Sequence, residues 1–376
     1  MQFNFTDEQE EFRRTVRRFL EDTSPPGEVR RLMETDAGFD PSVWAKLCGS
    51  LGLAGIAIPE EYGGQGFGFI ELALTLEEMS RSLLCAPYFA STVCAANAIL
   101  NAGTEAEKKR LLPRIASGET IATLAVAEAS GVWTADAVST TATRVDDSFR
   151  LDGVKRFVVD GHTADSIVVI AREPGSRGSD GLSFFVVSGE ADGLRRRLLT
   201  TLDPTRKLTE LSFEGVSGDL LGELGAGAEP LSRTLDQAVI GLASEVVGGA
   251  QKVLETAVEY AKLRIQFGRP IGSFQAIKHR CADLLLEVEH AKSAAYYAAA
   301  AESEGDDDIS ALACLAKATC SDAYRRAASA CIQIHGGVGF TWENDTHLYF
   351  KRARSSEAFL GTPDHHREQL LRHWDI

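Results

Sequence analysis

Between Thr120 and Leu221 the sequence stops reading as helix and reads as strand, and it turns back at about Ala228. This double change of texture constrains the fold of the 376-residue chain more than any other feature. The segments TIATLAVAEAS, SFRLDGVKRFVVDG, DSIVVIAR, LSFFVVSG and KLTELSFEGV are short runs dominated by Val, Ile, Phe and Thr, separated by the turns DG, GSRGSDG and SGEADG. Branched and aromatic side chains suit a pleated, half-buried surface, so the block predicts a small β-barrel or sandwich.

On both sides the apolar residues follow a helical period. TDEQEEFRRTVRRFLED carries a capping box, Thr6-x-x-Gln9, ahead of Phe12, Val16 and Phe19. EKKRLLPRIASGE predicts a surface helix ending at Gly118. In the last third, Leu235, Val239, Leu242, Val246, Ala250, Val253, Ala257 and Ala261 keep 3/4 spacing along one long amphipathic helix. The acidic stretch ESEGDDDIS, residues 302–310, predicts an exposed link between helices. No helix–strand alternation of the doubly wound kind appears, which leaves the α+β class. The expected division is an N-terminal helical domain at 1–119, a middle β-domain at 120–227 and a C-terminal helical-bundle domain at 228–376. With 44% hydrophobic residues the chain has material for more than one core, and single cores stop growing near ~250 residues.

Charge and cysteine usage narrow the partners. A net charge of −15 argues against a nucleic-acid backbone or an anionic membrane surface, both of which need clustered cations. The seven cysteines show no CxxC spacing and mostly sit in apolar runs, as reduced thiols of a cytoplasmic protein would. MQFNFTDEQEEFRR has no basic region followed by an apolar core, so no secretory signal is read there. No apolar run approaches the ~20 residues of a membrane span. His335, His365 and His366 lack the ordered carboxylate spacing of a metal set, so no metal is predicted.

Two stretches carry chemistry. RIQFGRPIGSFQAIKHRCAD joins a long helix to a turn and a second helix, with Arg264, Phe267 and Gln275 bracketing RPIG. IQIHGGVGFTWENDTHLYFKRAR places Gln333, Gly336, Gly337 and Gly339 in a helix-ending turn. Singly, Arg264 reads as a surface cation, Phe267 as core and the Gly-Gly turn as a C-cap. Occurring together and in order, they read as a cofactor site. The glycine-rich turn PEEYGGQGFG lacks a flanking strand and a GK pair, so it is no phosphate-binding P-loop.

With these two motifs, the IPEEYGGQG turn and the three-block order, essentially the whole chain resembles the acyl-CoA dehydrogenase family, most of all its actinobacterial fatty-acid and steroid side-chain branch. The resemblance implies a middle β-barrel, a C-terminal four-helix bundle and FAD between them, completed by a neighbouring subunit of a homo- or hetero-oligomer, typically a tetramer. It also implies an acyl-CoA substrate and an electron-transfer flavoprotein or similar acceptor, in β-oxidation of fatty acyl or steroid side-chain thioesters. Arg264 would meet the pyrophosphate and the Gly336-Gly337 turn would present backbone amides to it. Phe267 would pack at the adenine end, Gln275 and Gln333 would supply paired donors and acceptors, and Thr362 would lie near the FAD. On the flavin side, AVAEASGVWTADA and RFVVDG match the family's covering strands, but Ala127 and Val159 replace threonines, leaving backbone amides to serve the ring. Trp133 either stacks there or packs as core or interface. Asp236 matches a position near the pantetheine.

The family reaction removes a proton from the acyl Cα while hydride leaves Cβ, giving a trans-2-enoyl-CoA, and it needs a carboxylate within hydrogen-bond reach. One family position for that Glu is Leu360 here, and the other is Ala238. Glu245 lies seven residues beyond Ala238, close to two turns or ~10.5 Å along the helix, and is one substitute; its plainer role is a carboxylate paired with a cation. Glu357 is another, one turn before Leu360, and could equally pair with Lys351 or Arg354. Asp364 follows the turn in a position read as exposed.

The favoured expectation is an FAD-dependent dehydrogenase acting on a bulky or branched acyl-CoA, since ASTVCAANA puts small residues where the family builds its acyl pocket. Its rivals are a base-lacking FAD-binding subunit of an α2β2 enzyme, a flavin oxidase or monooxygenase on the same fold, and an FAD-free assembly protein.

Overall fold

A computed structural model describes residues 5–146, 148–306, 308–374 and 376. Residues 1–4 of the opening stretch and residue 307 of the acidic link lie outside the described residues. The N-terminal segment is helical: α1 (Asp7–Thr23), α2 (Pro26–Met33), α3 (Pro41–Gly49), α4 (Phe69–Arg81), a π-helix at Phe89–Ala95 that runs into α5 (Ala96–Ala102), and α6 (Glu105–Ala116). The strands are β1 (Ala122–Ala125), β2 (Thr141–Val145), β3 (Ser148–Val159), β4 (Ser166–Arg172), β5 (Leu182–Ser188), β6 (Leu194–Leu198) and β7 (Leu208–Leu221). Then come α7 (Ala228–Leu263), the short hairpin β8 (Ile265–Gln266) and β9 (Arg269–Pro270), and the C-terminal helices α8 (Gln275–Glu304), α9 (Ile309–His335), α10 (Thr346–Ala358) and α11 (Pro363–His373). No helix among the described residues is long and apolar enough to cross a membrane.

By packing, the chain forms two compact units, one of Met1–Arg30, Phe69–Leu84 and Val239–Ile376, the other of Arg31–Gly68 and Cys85–Ala238. In the second unit, β4 pairs with β2 and β5, β5 with β7, β7 with β3 and β3 with β2, which closes a five-stranded barrel. β1 adds parallel to β4, and β6 antiparallel to β7. Closure satisfies backbone groups that an open sheet would leave at its edges. Leu151, Ile167, Val169, Phe185, Val187, Leu211 and Phe213 fill the interior. The five predicted strands are present. β2 and β6 were not predicted, because TATRV and LRRRL carry too few apolar residues to signal a buried face, and their burial is correspondingly partial.

In the first unit, the capping box at Thr6 forms, with Gln9 N–H donating to Thr6 Oγ1 at 3.2 Å and Thr6 N–H to Gln9 Oε1 at 3.0 Å. The buried stripe of α1 runs through Val16 and Leu20, while Phe12 and Phe19 are only half-buried, a correction to the stripe read from sequence. α7 also differs from expectation. It is buried on every side from Ala238 to Ala250 and amphipathic only towards its ends, as an enveloped helix must be. Gly248 permits this: a Cβ there would stand 1.9 Å from the Glu77 carbonyl oxygen of α4. Glu77 itself is buried, and burial pushes its carboxyl up, opposed by Arg13. It accepts from Arg13 at 3.0 Å and from the Tyr296 hydroxyl at 2.7 Å, which ties α1 and α8 to α4.

Candidate functional site

The two sequence motifs meet at one end of the helical unit. The Tyr260 ring, one turn before Arg264, stacks on His335 with centroids 4.0 Å apart, and its hydroxyl donates to the His335 carbonyl at 3.4 Å. His335 immediately precedes the Gly336-Gly337 turn, so the end of α7 and the end of α9 present their motif residues together. Arg264 N–H donates to Tyr260 O at 2.8 Å and Ile271 N–H to Arg264 O at 2.8 Å, fixing the hairpin base. Arg264, Gln275 and Gln333 are exposed. Phe267 is 91% exposed and adopts φ 54°, so its reading as a core residue is overturned. Gly336 has φ 62°, and Cβ atoms built at Gly336 and Gly337 meet nothing within 4 Å, which leaves an open cradle of backbone.

This set fits a dinucleotide: a guanidinium for phosphate, an apolar ring, two amides and an approachable backbone turn.

The strands expected at the flavin end lie in the other unit. Ala127 and Val159 are buried, and Val159 O accepts from Thr123 Oγ1 at 2.6 Å. The segment after β1 is fastened to β3 by Arg156 N–H donating to Ala127 O at 2.8 Å and by a buried ion pair, Lys155 to Glu128 at 2.8 Å. Glu128 also accepts from Thr140 N–H at 2.9 Å and from Thr140 Oγ1 at 2.8 Å. Burial alone would raise the Glu128 carboxyl, but Lys155 and these donors hold it down to about 2. Trp133 is half-buried. Asp236 is half-buried on α7, beside an amide–hydroxyl set in which Asn101 Nδ2 donates to Thr234 Oγ1 at 2.9 Å and to Gln237 Oε1 at 2.8 Å.

Neither position at which the base was expected carries a polar group. Leu360 is 4% exposed and Ala238 1%. Glu245 is buried and ion-paired to buried Arg352 at 3.1 Å. Glu357 pairs with Arg354, as expected, and with Arg325 at 3.3 Å, but Lys351 stands 5.1 Å from the Trp342 ring instead. Thr362 is the N-cap of α11, its Oγ1 accepting from His365 N–H at 3.3 Å, and Asp364 is exposed and paired with Arg367 at 2.8 Å. Thr362 and Asp364 line a cleft of about 560 Å³ with Asp322, Arg325, Arg354 and Arg367.

The reading from sequence missed Arg352, the Glu128–Lys155 pair and Lys317. Lys317 is fully buried and donates to Ser356 O at 2.9 Å and Glu357 O at 3.1 Å. A lysine inside the apolar run LACLAKATC was the available signal for it.

The chain matches the acyl-CoA dehydrogenase N-terminal domain over residues 6–119, the middle domain over 123–216 and the C-terminal domain over 225–374. It belongs to the acyl-CoA dehydrogenase family. It is 33% identical to acyl-CoA dehydrogenase IpdE2 of Mycolicibacterium smegmatis over 98% of each chain. Among solved structures, butyryl-CoA dehydrogenase of Megasphaera elsdenii superposes with a TM-score of 0.94 at 29% identity over 100% of both chains. The Tcur3481-Tcur3483 steroid ACAD superposes with a TM-score of 0.86 at 29% identity, over 97% of this chain and 96% of that one. The expected acyl-CoA dehydrogenase architecture, with an N-terminal helical segment, a barrel and a C-terminal helix bundle, is therefore the one observed.

Proposed function

We propose that this acyl-CoA dehydrogenase is an FAD-binding subunit that works in the oxidation of a bulky or branched acyl-CoA to its trans-2-enoyl thioester, with the proton-abstracting carboxylate contributed by a partner chain. The observation that carries the reading is chemical. Leu360 and Ala238 are apolar and buried, and the two substitute carboxylates, Glu245 and Glu357, are both engaged by arginines. The bound FAD would supply the hydride acceptor. Arg264, Gln275, Gln333 and the Gly336-Gly337 cradle would bind and orient it, with Phe267 against its adenine end, Thr362 close by and the strand around Val159 covering its ring. Asp236 would help hold the pantetheine. The buried side chains of Leu360 and Ala238 would exclude water from the reacting carbons. The similarity to the Tcur3481-Tcur3483 steroid ACAD supports a two-component assembly and a bulky acyl group. The reading carries the division at 1–119, 120–227 and 228–376, a tetrameric assembly and an electron-transfer flavoprotein as acceptor.

The test is an anaerobic visible spectrum of the purified chain before and after acyl-CoA, alone and with a candidate partner subunit. Bleaching only with the partner is expected; bleaching by the chain alone overturns the shared site. A second reading, in which Glu245 is the base, is favoured by its burial in the middle of α7. It requires Glu245→Gln to abolish bleaching, and near-normal bleaching rejects it.

A further inference from the structure

The segment between α10 and α11 is held more firmly than a four-residue connection requires. Leu360 is buried with φ 59°, a left-handed conformation that a side-chain-bearing residue adopts only when its surroundings impose it. Gly361 follows at φ 101°, where a Cβ would stand 2.8 Å from His365 Cδ2 and 3.0 Å from His366 Nε2. Two buried side chains impose the geometry. From α9, the Lys317 ammonium takes the carbonyls of Ser356 and Glu357 and the Ser321 hydroxyl at 2.9, 3.1 and 3.1 Å. A cation there meets the negative end of the α10 dipole. From α11, His366 Nε2 lies 2.8 Å from Leu360 O.

A carbonyl only accepts, so Nε2 carries the proton. Burial drives His366 down to about 4, which leaves its ring neutral near pH 7, with Nδ1 free to accept from Cys314 Sγ at 3.4 Å. Lys317, Cys314 and His365 are the titratable groups that face this ring. The backbone on both sides of residue 360 is thus fixed from two helices, independently of the side chain that residue carries.

We propose that Lys317 and His366 are positioning residues that hold the side chain at position 360 in one buried orientation, so that this chain lacks a base of its own by a single side chain. The proposal rests on the reading that the chain binds FAD without supplying the base. Its test uses the full-length chain loaded with FAD and follows flavin absorbance against pH without substrate. Leu360→Glu should introduce a one-proton titration absent from the wild type, with its midpoint above the ordinary carboxylate value of about 4.3 because the site is buried.

Adding Lys317→Met or His366→Phe should abolish that titration or move its midpoint by at least about one pH unit. Adding Lys317→Arg or His366→Gln, which keep a donor in place, should preserve it. If the variants lacking a donor fail to fold, His366→Asn, too short to reach Leu360 O, is compared with His366→Gln. Double variants that titrate like Leu360→Glu alone overturn the positioning role. Leu360→Glu with FAD bound and no titration overturns the seat itself. Failure of the underlying reading is separate: the wild type would hold no FAD, or its flavin would be bleached by acyl-CoA without a partner.

Discussion

At the scale of single residues, exposure and pairing separate binding roles from structural ones. Arg264 is exposed, so Arg264→Ala should leave the apoprotein's thermal midpoint within about 2 °C while lowering bound FAD. Full flavin content in the folded variant would remove Arg264 from the cofactor site. Glu128 behaves in the opposite way. Glu128→Gln leaves the fully buried Lys155 uncompensated and should cost about 3 kcal/mol, read from denaturant unfolding. Because the folded Glu128 carboxyl sits at about 2, its contribution to stability is present above the unfolded value of about 4.3 and is lost as pH falls towards 2. His366 adds an earlier loss. Its folded value of about 4 lies below the ordinary 6.5, so the unfolded chain takes up a proton first and stability declines as pH falls between those values. His366→Gln should flatten that limb of the pH–stability curve. Burial pushes the thiols of Cys48, Cys94, Cys320 and Cys331 up to about 12, which disfavours their reactive thiolates.

At the scale of elements, the sequence conveyed period and caps better than surroundings. The box at Thr6, the strand runs and the helix–turn–helix order around RPIG were legible because each is set by residues within a few positions of one another, whereas the short β8–β9 hairpin inside that turn was not read. The burial of α7 was not. Its 3/4 pattern describes one apolar face, whereas Gly248 shows that α4 closes on another. Gly248→Ala should therefore destabilise by about 3 kcal/mol, since the new methyl has only backbone to displace; an unchanged unfolding midpoint would mean that α4 can retreat. β6 was illegible for a related reason. LRRRL joins the barrel as an outer strand whose ladder to β7 comes from backbone hydrogen bonds, which any residue but proline can supply.

For the whole molecule, the motifs proposed to hold the cofactor lie beside exposed apolar residues. Leu263, Phe267 and Phe340 are 77%, 91% and 83% exposed, and they flank Arg264 and the Gly336-Gly337 turn in sequence. Patches of this kind on folded proteins mark contact surfaces. Light scattering should give a particle larger than the 40.6 kDa of one chain, and Phe267→Asp should shift it towards that mass and release flavin together. A variant that dissociates but retains flavin would uncouple assembly from cofactor binding.

The sequence by itself determined the family architecture, the two motifs proposed to hold the cofactor and the apolar identity of residues 360 and 238, because these are written as local patterns or as residue identity. Only the tertiary structure decided which carboxylates are already engaged and what holds the turn at Leu360. Arg352 stands 107 positions from Glu245, and Lys317 stands 39 from Ser356. No local pattern encodes such pairings. They exist because packed helices bring distant side chains into a low-dielectric interior, where a charge must find a partner.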